Sequence, residues 1–341
     1  MLAIAMYATL LLVGVYDMPA IIRGSSLFTC HWPRNKLQAQ AAQAPGTLRP
    51  ARLVIHQDAD EYYAPLLQIT TAHHRRYAAR RGYVFDKYIG SLSGWPYPML
   101  NRVWKLDEMV GKSFDWFVYV DADALVYDTR CSFEDLIVNR SAARVAMLFC
   151  HDPMGQRGVP HHINAGVFVA NLRHPLIGPL ACTWKRRLWW EAWRYRAVTT
   201  QLYRRLVLGK PPEPYLEDQR ILHDLLREFG PQYPALYQVV PEDLCTFNTM
   251  SGTLVRHVFG GPGVEARMAR MRSTLNSSRA FLQMRAREKR GRRARGALQQ
   301  TQLHGEEDAN SCFAMTSARR RVRKHPLRPQ RTTQRRAKQA G

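Results

Sequence analysis

Asp121 and Asp123 stand one residue apart at the end of an apolar run, Trp116-Phe117-Val118-Tyr119-Val120, that resumes as Ala124-Leu125-Val126. Five aromatic or β-branched residues in a row read as a strand buried on both faces, the pattern of a parallel sheet covered by helices. In open α/β sheets, ligands bind just outside the carboxyl ends of the strands. Two carboxylates placed there are hard oxygen donors for a divalent cation such as Mn²⁺ or Mg²⁺. An isolated Asp-x-Asp is more often a helix cap beside a solvated charge. The buried strand in front of this pair, and the blocks downstream, favour the cation.

The elements that must position this pair are readable in chain order. The folded part begins with a short strand, Arg52 to His56. Tyr63 to Arg81 carries Leu66, Ile69, His73 and Tyr77 at helical spacing and stops before Gly82. Tyr83 to Phe85 is a second strand, so the opening is a βαβ unit and implies a parallel sheet. After a Gly/Pro-rich turn at 94–98, Leu100 to Val110 is a helix that feeds the Asp-bearing strand. Ser132 to Val138 reads as a short helix and Arg144 to Cys150 as a strand. Ile163 to Leu172 is a strand with Gly166 set inside it, where something approaches closely. Residues 180–208 form a helix crowded with Trp184, Trp189, Trp190 and Trp193, as core or cleft wall. Leu216 to Phe229 is a helix opening with Glu217-Asp218-Gln219. The last ordered segment runs from Tyr237 to Gly263 and contains His257-Val258-Phe259-Gly260-Gly261.

Charge describes the tail and not the fold. The 341 residues carry a net +23. From Glu265 to Gly341 there are 21 Lys and Arg against 5 Asp and Glu, a net +16, which leaves +7 for residues 1–264. The segment 265–341 therefore reads as a basic tail, disordered or weakly helical beyond Met271. An apolar share of 46% is enough for a core. At the other end, Met1 to Ile22 is apolar apart from Asp17. Its uninterrupted stretch, Leu2 to Tyr16, fits a signal-peptide core or a membrane anchor, short of the ~20 residues of a full span. Arg23, Arg34 and Lys36 follow it and no basic residue precedes it, against the usual orientation rule for a lumenal domain. Residues 23–50 read as a stem or linker, Gln-, Ala- and Pro-rich from Thr29. Cys30, Cys131, Cys150, Cys182, Cys245 and Cys312 include no C-x-x-C pair, so neither zinc nor thioredoxin-type chemistry has support. They could pair in an oxidising lumen or stay as buried thiols.

Five blocks in one order resemble a known family. They are His73 to Tyr83 (a helix ending in a "YA-x-x-x-G-Y" pattern) with Trp104-Lys105, the Asp121/Asp123 strand, Asn164-Ala165-Gly166, Asp218-Gln219 and His257-x-x-Gly260. Together they look like the Golgi α-galactosyl- and α-mannosyltransferases and the xyloglucan α-xylosyltransferases. All but the first block are shared with the glycogenin-like family. The resemblance covers residues 52–264. It implies a GT-A fold, a Rossmann-like α/β domain at 51–264 with a mostly parallel central sheet flanked by helices. It also implies a nucleotide-sugar donor (a UDP-sugar ahead of a GDP-sugar), Mn²⁺ or Mg²⁺, and retaining transfer of galactose, mannose, xylose or glucose. The acceptor would be a glycan or glycoprotein, and the setting a type II protein of the Golgi or secretory-pathway membrane, alone or in a transferase complex. Asp121, Asp123 and His257 would match the metal ligands, and Asp121 the ribose and phosphate contacts as well. Asn164, Asp218 and Gln219 would face the donor sugar and support an oxocarbenium-like centre. Gly260 and Gly261 would let backbone N–H groups reach the phosphates. His56 and Gln57, at the end of the first strand, would lie by the base or ribose, with Lys105 near donor hydroxyls or phosphate. Two positions depart from the pattern. Arg81 stands for the histidine of the first block, and no lysine follows the His-Gly block, where the nearest basic residue is Arg267.

Two further readings have their own features. The Arg-rich runs at Arg290 to Arg295 and Arg319 to Lys324 could bind nucleic acid through phosphates, but no aromatics interleave them and no base-reading motif accompanies them. A catalytically inactive homologue acting as a scaffold in a transferase complex is the other. The sequons at Asn139 and Asn276 are compatible with a secretory lumen.

Overall fold

The computed structural model describes residues 30–33, 51–93, 100–139, 144–153, 159–198, 218–241, 245–259 and 263–314. The chain forms two compact units, Met1–Leu282 and Gln283–Gly341.

Strand β1 (Leu53–Ala59) is buried along its whole length because both of its edges are paired. It lies between β2 (Val84–Ile89) and β3 (Trp116–Val120), parallel to each, with Ile55 opposite Phe85 on one side and Val118 on the other. The crossovers are helices α1 (Ala64–Arg81) and α2 (Asn101–Met109), as parallel neighbours require. Gly82 ends α1 at φ 72°, a left-handed cap whose N–H meets the carbonyls of Ala78 and Ala79. Beyond β3 come β6 (Ile163–Asn171), β5 (Met147–His151) and β7 (Tyr237–Val240), giving the order β2-β1-β3-β6-β5-β7.

The fold is α/β with a mostly parallel central sheet. Within that sheet β6 runs against its neighbours, antiparallel to β3 and to β5. Only residues 152–162 separate β5 from β6, too few for the crossover that parallel strands need. A second, two-stranded sheet pairs β4 (Ala124–Val126) with β8 (Val255–His257), placing Ala124 opposite His257.

Alternation along β3 divides the core. Phe117 and Tyr119 face one layer with Phe149, Phe168 and Trp184, beneath α4 (Ile177–Val198) and α5 (Asp218–Phe229). Val118 and Val120 face the other layer with Tyr77 and with Phe133 of α3 (Phe133–Asn139). Trp184 is fully buried, as expected of a core residue, and its Nε1 donates to the Asp218 carbonyl over 3.1 Å.

Two segments read from sequence as peripheral pack onto this unit. Cys30 is disulfide-bonded to Cys182, and Trp32 stacks on Phe229 with ring centroids 4.3 Å apart. A second disulfide joins Cys150 to Cys245. The long helix α6 (Gly263–Ala314) starts where the tail was placed, and its first turns bury Val264, Met268, Met271 and Leu275 against Leu66, Leu125 and Val258. In the second unit the helix is exposed over 283–290. The apolar segment 1–22, most of the linker, and the Arg319 to Lys324 run lie outside the described residues. Among the described residues no helix is long and apolar enough to cross a membrane.

Candidate metal centre

The turn between β3 and β4 sets the two aspartates. Asp121 N–H donates to the Gly166 carbonyl over 2.8 Å, and Ala124 N–H to the Asp121 carbonyl over 3.0 Å. Because β8 pairs with β4, His257 arrives beside this turn. Its Nε2 lies 3.0 Å from Asp123 Oδ1 and 3.7 Å from Asp121 Oδ2. One donor atom from each of Asp121, Asp123 and His257 falls within 4.8 Å of the others, the span of a single cation's ligands.

The imidazole is aimed by a neighbour. His257 Nδ1–H donates to Asn248 Oδ1 over 2.8 Å, so Nε2 is the nitrogen that faces the carboxylates, donating to Asp123 Oδ1 while protonated and free to ligate a cation once that proton leaves. Asn248 Nδ2 in turn reaches the carbonyls of Asn164 and Val167. Gly166 completes the cradle. A Cβ there would run into His257 Cε1 and come within 2.7 Å of Asp121 Oδ2. The glycine in β6 is therefore needed for close approach by side chains of the cluster. Two carboxylates and a tautomer-fixed imidazole, with room kept by a glycine, fit a Mn²⁺ or Mg²⁺ ion.

These groups line a cavity of about 310 Å³ together with Asn164, Asp218 and Gln219. Gln219 Oε1 accepts from Ala165 N–H and its Nε2 donates to Asp152 Oδ2. Asn164 Oδ1 accepts from Gly166 N–H over 2.8 Å. Arg102, from α2, lies between the Asp121 and Asp218 carboxylates. Its Nε is 2.9 Å from Asp218 Oδ2, its Nη2 is 3.6 Å from Asp121 Oδ1, and its Nη1 donates to the Ala165 carbonyl.

Electrostatics follows burial and these pairings. Burial pushes the Asp218 carboxyl up to about 6 despite Arg102. At Asp121 burial also prevails and raises the carboxyl above its usual range, against Arg102 and His257. Burial acts on Asp123 too, but the charge and hydrogen bond of His257, with Arg267, outweigh it and hold that carboxyl low. His257 is pulled down by burial and up by Asp123 and Asp121, and ends above its ordinary value.

The structure does not bring His56, Gln57 or Lys105 into the cavity. Strand β1 continues to Ala59, so His56 and Gln57 remain inside the protein and the cavity meets Asp58, Ala59 and Asp60 instead. Gln57 donates to the carbonyls of Asp121 and Ala124 and accepts from Thr70 and His74, which consumes its amide. His56 is held between Asp58 and Asp86, and Lys105 between Asp86 and Glu108. All three serve as scaffolding behind the site. Gly260 and Gly261 lie outside the described residues. Three site residues escaped the sequence reading: Arg102 and Asn248, given no role there, and Arg267, noted only as a basic residue.

No protein-family model matches the sequence, and no curated protein sequence matches it. The chain is similar in structure to solved glycosyltransferases. One is a glycosyltransferase involved in glycosylation of the major capsid of PBCV-1, 16% identical, covering 65% of this chain and 98% of that one at a TM-score of 0.44. The galactosyltransferase LgtC, solved with donor and acceptor sugar analogues, is 17% identical over 66% of this chain and 95% of its own, TM-score 0.39. A mutant Drosophila β-1,4-galactosyltransferase 7 with manganese, UDP-Gal and xylobiose is 11% identical over 62% and 72%, TM-score 0.33.

Proposed function

We infer that the protein is a metal-dependent glycosyltransferase. It moves a sugar from a nucleoside-diphosphate donor, a UDP-sugar ahead of a GDP-sugar, to a glycan or glycoprotein acceptor. One observation carries this reading. Asp121, Asp123 and His257 converge on one cavity whose lining also includes Asp218, Gln219 and Asn164. Such a lining suits a cation with its phosphates and a polar, hydroxyl-rich group beside them.

A cation on Asp121, Asp123 and His257 would supply Lewis-acid stabilisation of charge on the departing diphosphate. Arg102 fixes the carboxylates of Asp121 and Asp218 relative to each other. Gln219 is locked by both of its amide atoms and holds Ala165, and with it the β6 segment bearing Asn164, against the cavity. Asp218, a buried carboxylate in the cavity lining, would be the group to support positive charge developing at the sugar carbon in a transfer with retention. Departing phosphate oxygen can take the acceptor's proton, so no separate base is assigned. Two disulfides favour an oxidising compartment, in keeping with a lumenal domain of the secretory pathway.

The test is nucleoside diphosphate release by the purified full chain over UDP-Gal, UDP-Glc, UDP-Xyl and GDP-Man, with Mn²⁺ or with chelator. Metal-dependent release from one donor, abolished by Asp123→Asn, is the expected result. Binding of UDP with metal but no release from any donor would support the scaffold reading instead. A folded chain that neither binds nor releases removes the metal assignment.

A further inference from the structure

Arg267 lies in the second turn of α6 and lines the cavity beside Asp123. Its Nη1 donates to Asp123 Oδ2 over 2.9 Å, and its guanidinium carbon is 5.5 Å from the centre of the Tyr63 ring. Its Nε is buried and has no hydrogen-bond partner. This is not a loose surface side chain. Val264, Met268 and Met271 around it are packed against Leu66 and Leu125.

Asp123 therefore divides its carboxylate, Oδ1 to His257 and Oδ2 to Arg267. A divalent cation bound to Asp121, Asp123 and His257 competes with Arg267 for the same carboxylate charge, and then stands beside the guanidinium as a like charge. An anion touching both cations relieves that repulsion. The unpartnered Nε adds a second donor, and two N–H groups of one guanidinium match two oxygens of a phosphate. A diphosphate has oxygens for the metal and oxygens left over for Arg267.

We propose that Arg267 neutralises Asp123 in the metal-free protein and becomes the diphosphate-binding cation once a divalent ion and a nucleoside diphosphate load. The proposal rests on the glycosyltransferase reading above and adds a residue from outside the blocks that suggested it. Metal and nucleotide then bind cooperatively, each strengthening the other by the same factor.

The experiment titrates Mn²⁺ into the full chain, following the free-ion signal by electron paramagnetic resonance, with and without UDP. In the wild type, UDP tightens Mn²⁺ binding by about tenfold or more. Arg267→Gln binds Mn²⁺ alone more tightly than wild type, because its competitor is gone. In that variant the UDP enhancement falls to about twofold or less. Arg267→Lys, which keeps the charge without the fork, falls between the two and reports on the proposal should the Gln variant not fold. An intact UDP enhancement in both variants, or weaker binding of Mn²⁺ alone in Arg267→Gln, overturns the role of Arg267 and leaves the transferase reading standing. A wild-type chain that binds neither Mn²⁺ nor UDP overturns both.

Discussion

His257 Nδ1 and Asn248 Oδ1 are 2.8 Å apart, and this one hydrogen bond decides which imidazole nitrogen faces Asp121 and Asp123. Asn248 can perform that task because its own amide nitrogen is tied to the Asn164 and Val167 carbonyls, on the strand that carries Gly166. Asn248→Ala frees the ring to rotate and to change tautomer. Metal affinity should fall about 10–100-fold, the usual cost of losing a partner behind a ligating histidine. A Mn²⁺ titration on the folded variant checks this, and an unchanged affinity would show that His257 is not a ligand.

Gly166→Ala should do more damage to the site by a different route. The added Cβ meets His257 and Asp121 at once, in a strand held on its β3 side by the bond from Asp121 N–H to the Gly166 carbonyl. Overpacking of this kind costs about 1–3 kcal/mol. The expected outcome is a folded chain of lower denaturation midpoint with no measurable Mn²⁺ binding. Full metal binding by this variant would mean that the donor atoms converge elsewhere.

Why some of this was legible in sequence and some was not has physical reasons. The Asp121/Asp123 strand announces itself because a strand buried on both faces must be apolar without a break, so its end is sharp. Strand β1 gave a false end, since it continues through the polar residues His56, Gln57 and Asp58, whose partners are buried with them. Only three-dimensional pairing shows that those polar groups are satisfied. On α2, Lys105 drew attention and Arg102 did not. Two cations one turn apart share a helix face, so which of them reaches the cavity depends on where along its axis the helix meets the site, and the pattern of α2 alone does not determine that. The blocks from Asn164 to His257 were found through resemblance, whereas Asn248 lies between them with no periodicity to mark it. In α6 an apolar stripe at positions 264, 268, 271 and 275 has helical spacing, but the arginines around it make the stretch read as a solvated tail.

Acid should weaken the fold through a histidine outside the site. His74 is fully buried, donates from Nδ1 to Gln57 Oε1 and accepts at Nε2 from Val126 N–H, so only its neutral form fits. Burial, with His73 alongside, lowers its pKa from 6.5 to about 3. A folded-state value below the unfolded one means that this stability is complete above pH 6.5 and is lost as pH falls toward 3. The loss approaches about 1.4 kcal/mol per pH unit. Urea unfolding at pH 7.5 and pH 5 should therefore show a steeper decline in the wild type than in His74→Leu. Equal declines would mean that His74 binds protons alike in both states.

Where the chain can be cut tests how α6 belongs to the fold. Residues 283–341 form their own unit, and a chain ending at Leu282 should keep its melting temperature and its diphosphate release. A chain ending at residue 264 loses the side chains of Met268, Met271 and Leu275 from the cluster with Leu66 and Leu125, and the bond from Ser278 to the Tyr127 carbonyl. Each of those three apolar side chains contributes about 1.5–3 kcal/mol on burial. Their sum is comparable with the whole net stability of a domain, about 5–15 kcal/mol. The shorter chain should be insoluble or melt far lower, while ending at Leu282 should change little. Thermal melts of the two chains decide it, and a stable, active chain ending at residue 264 would show that α6 is an accessory and that Arg267 has no part in binding the donor.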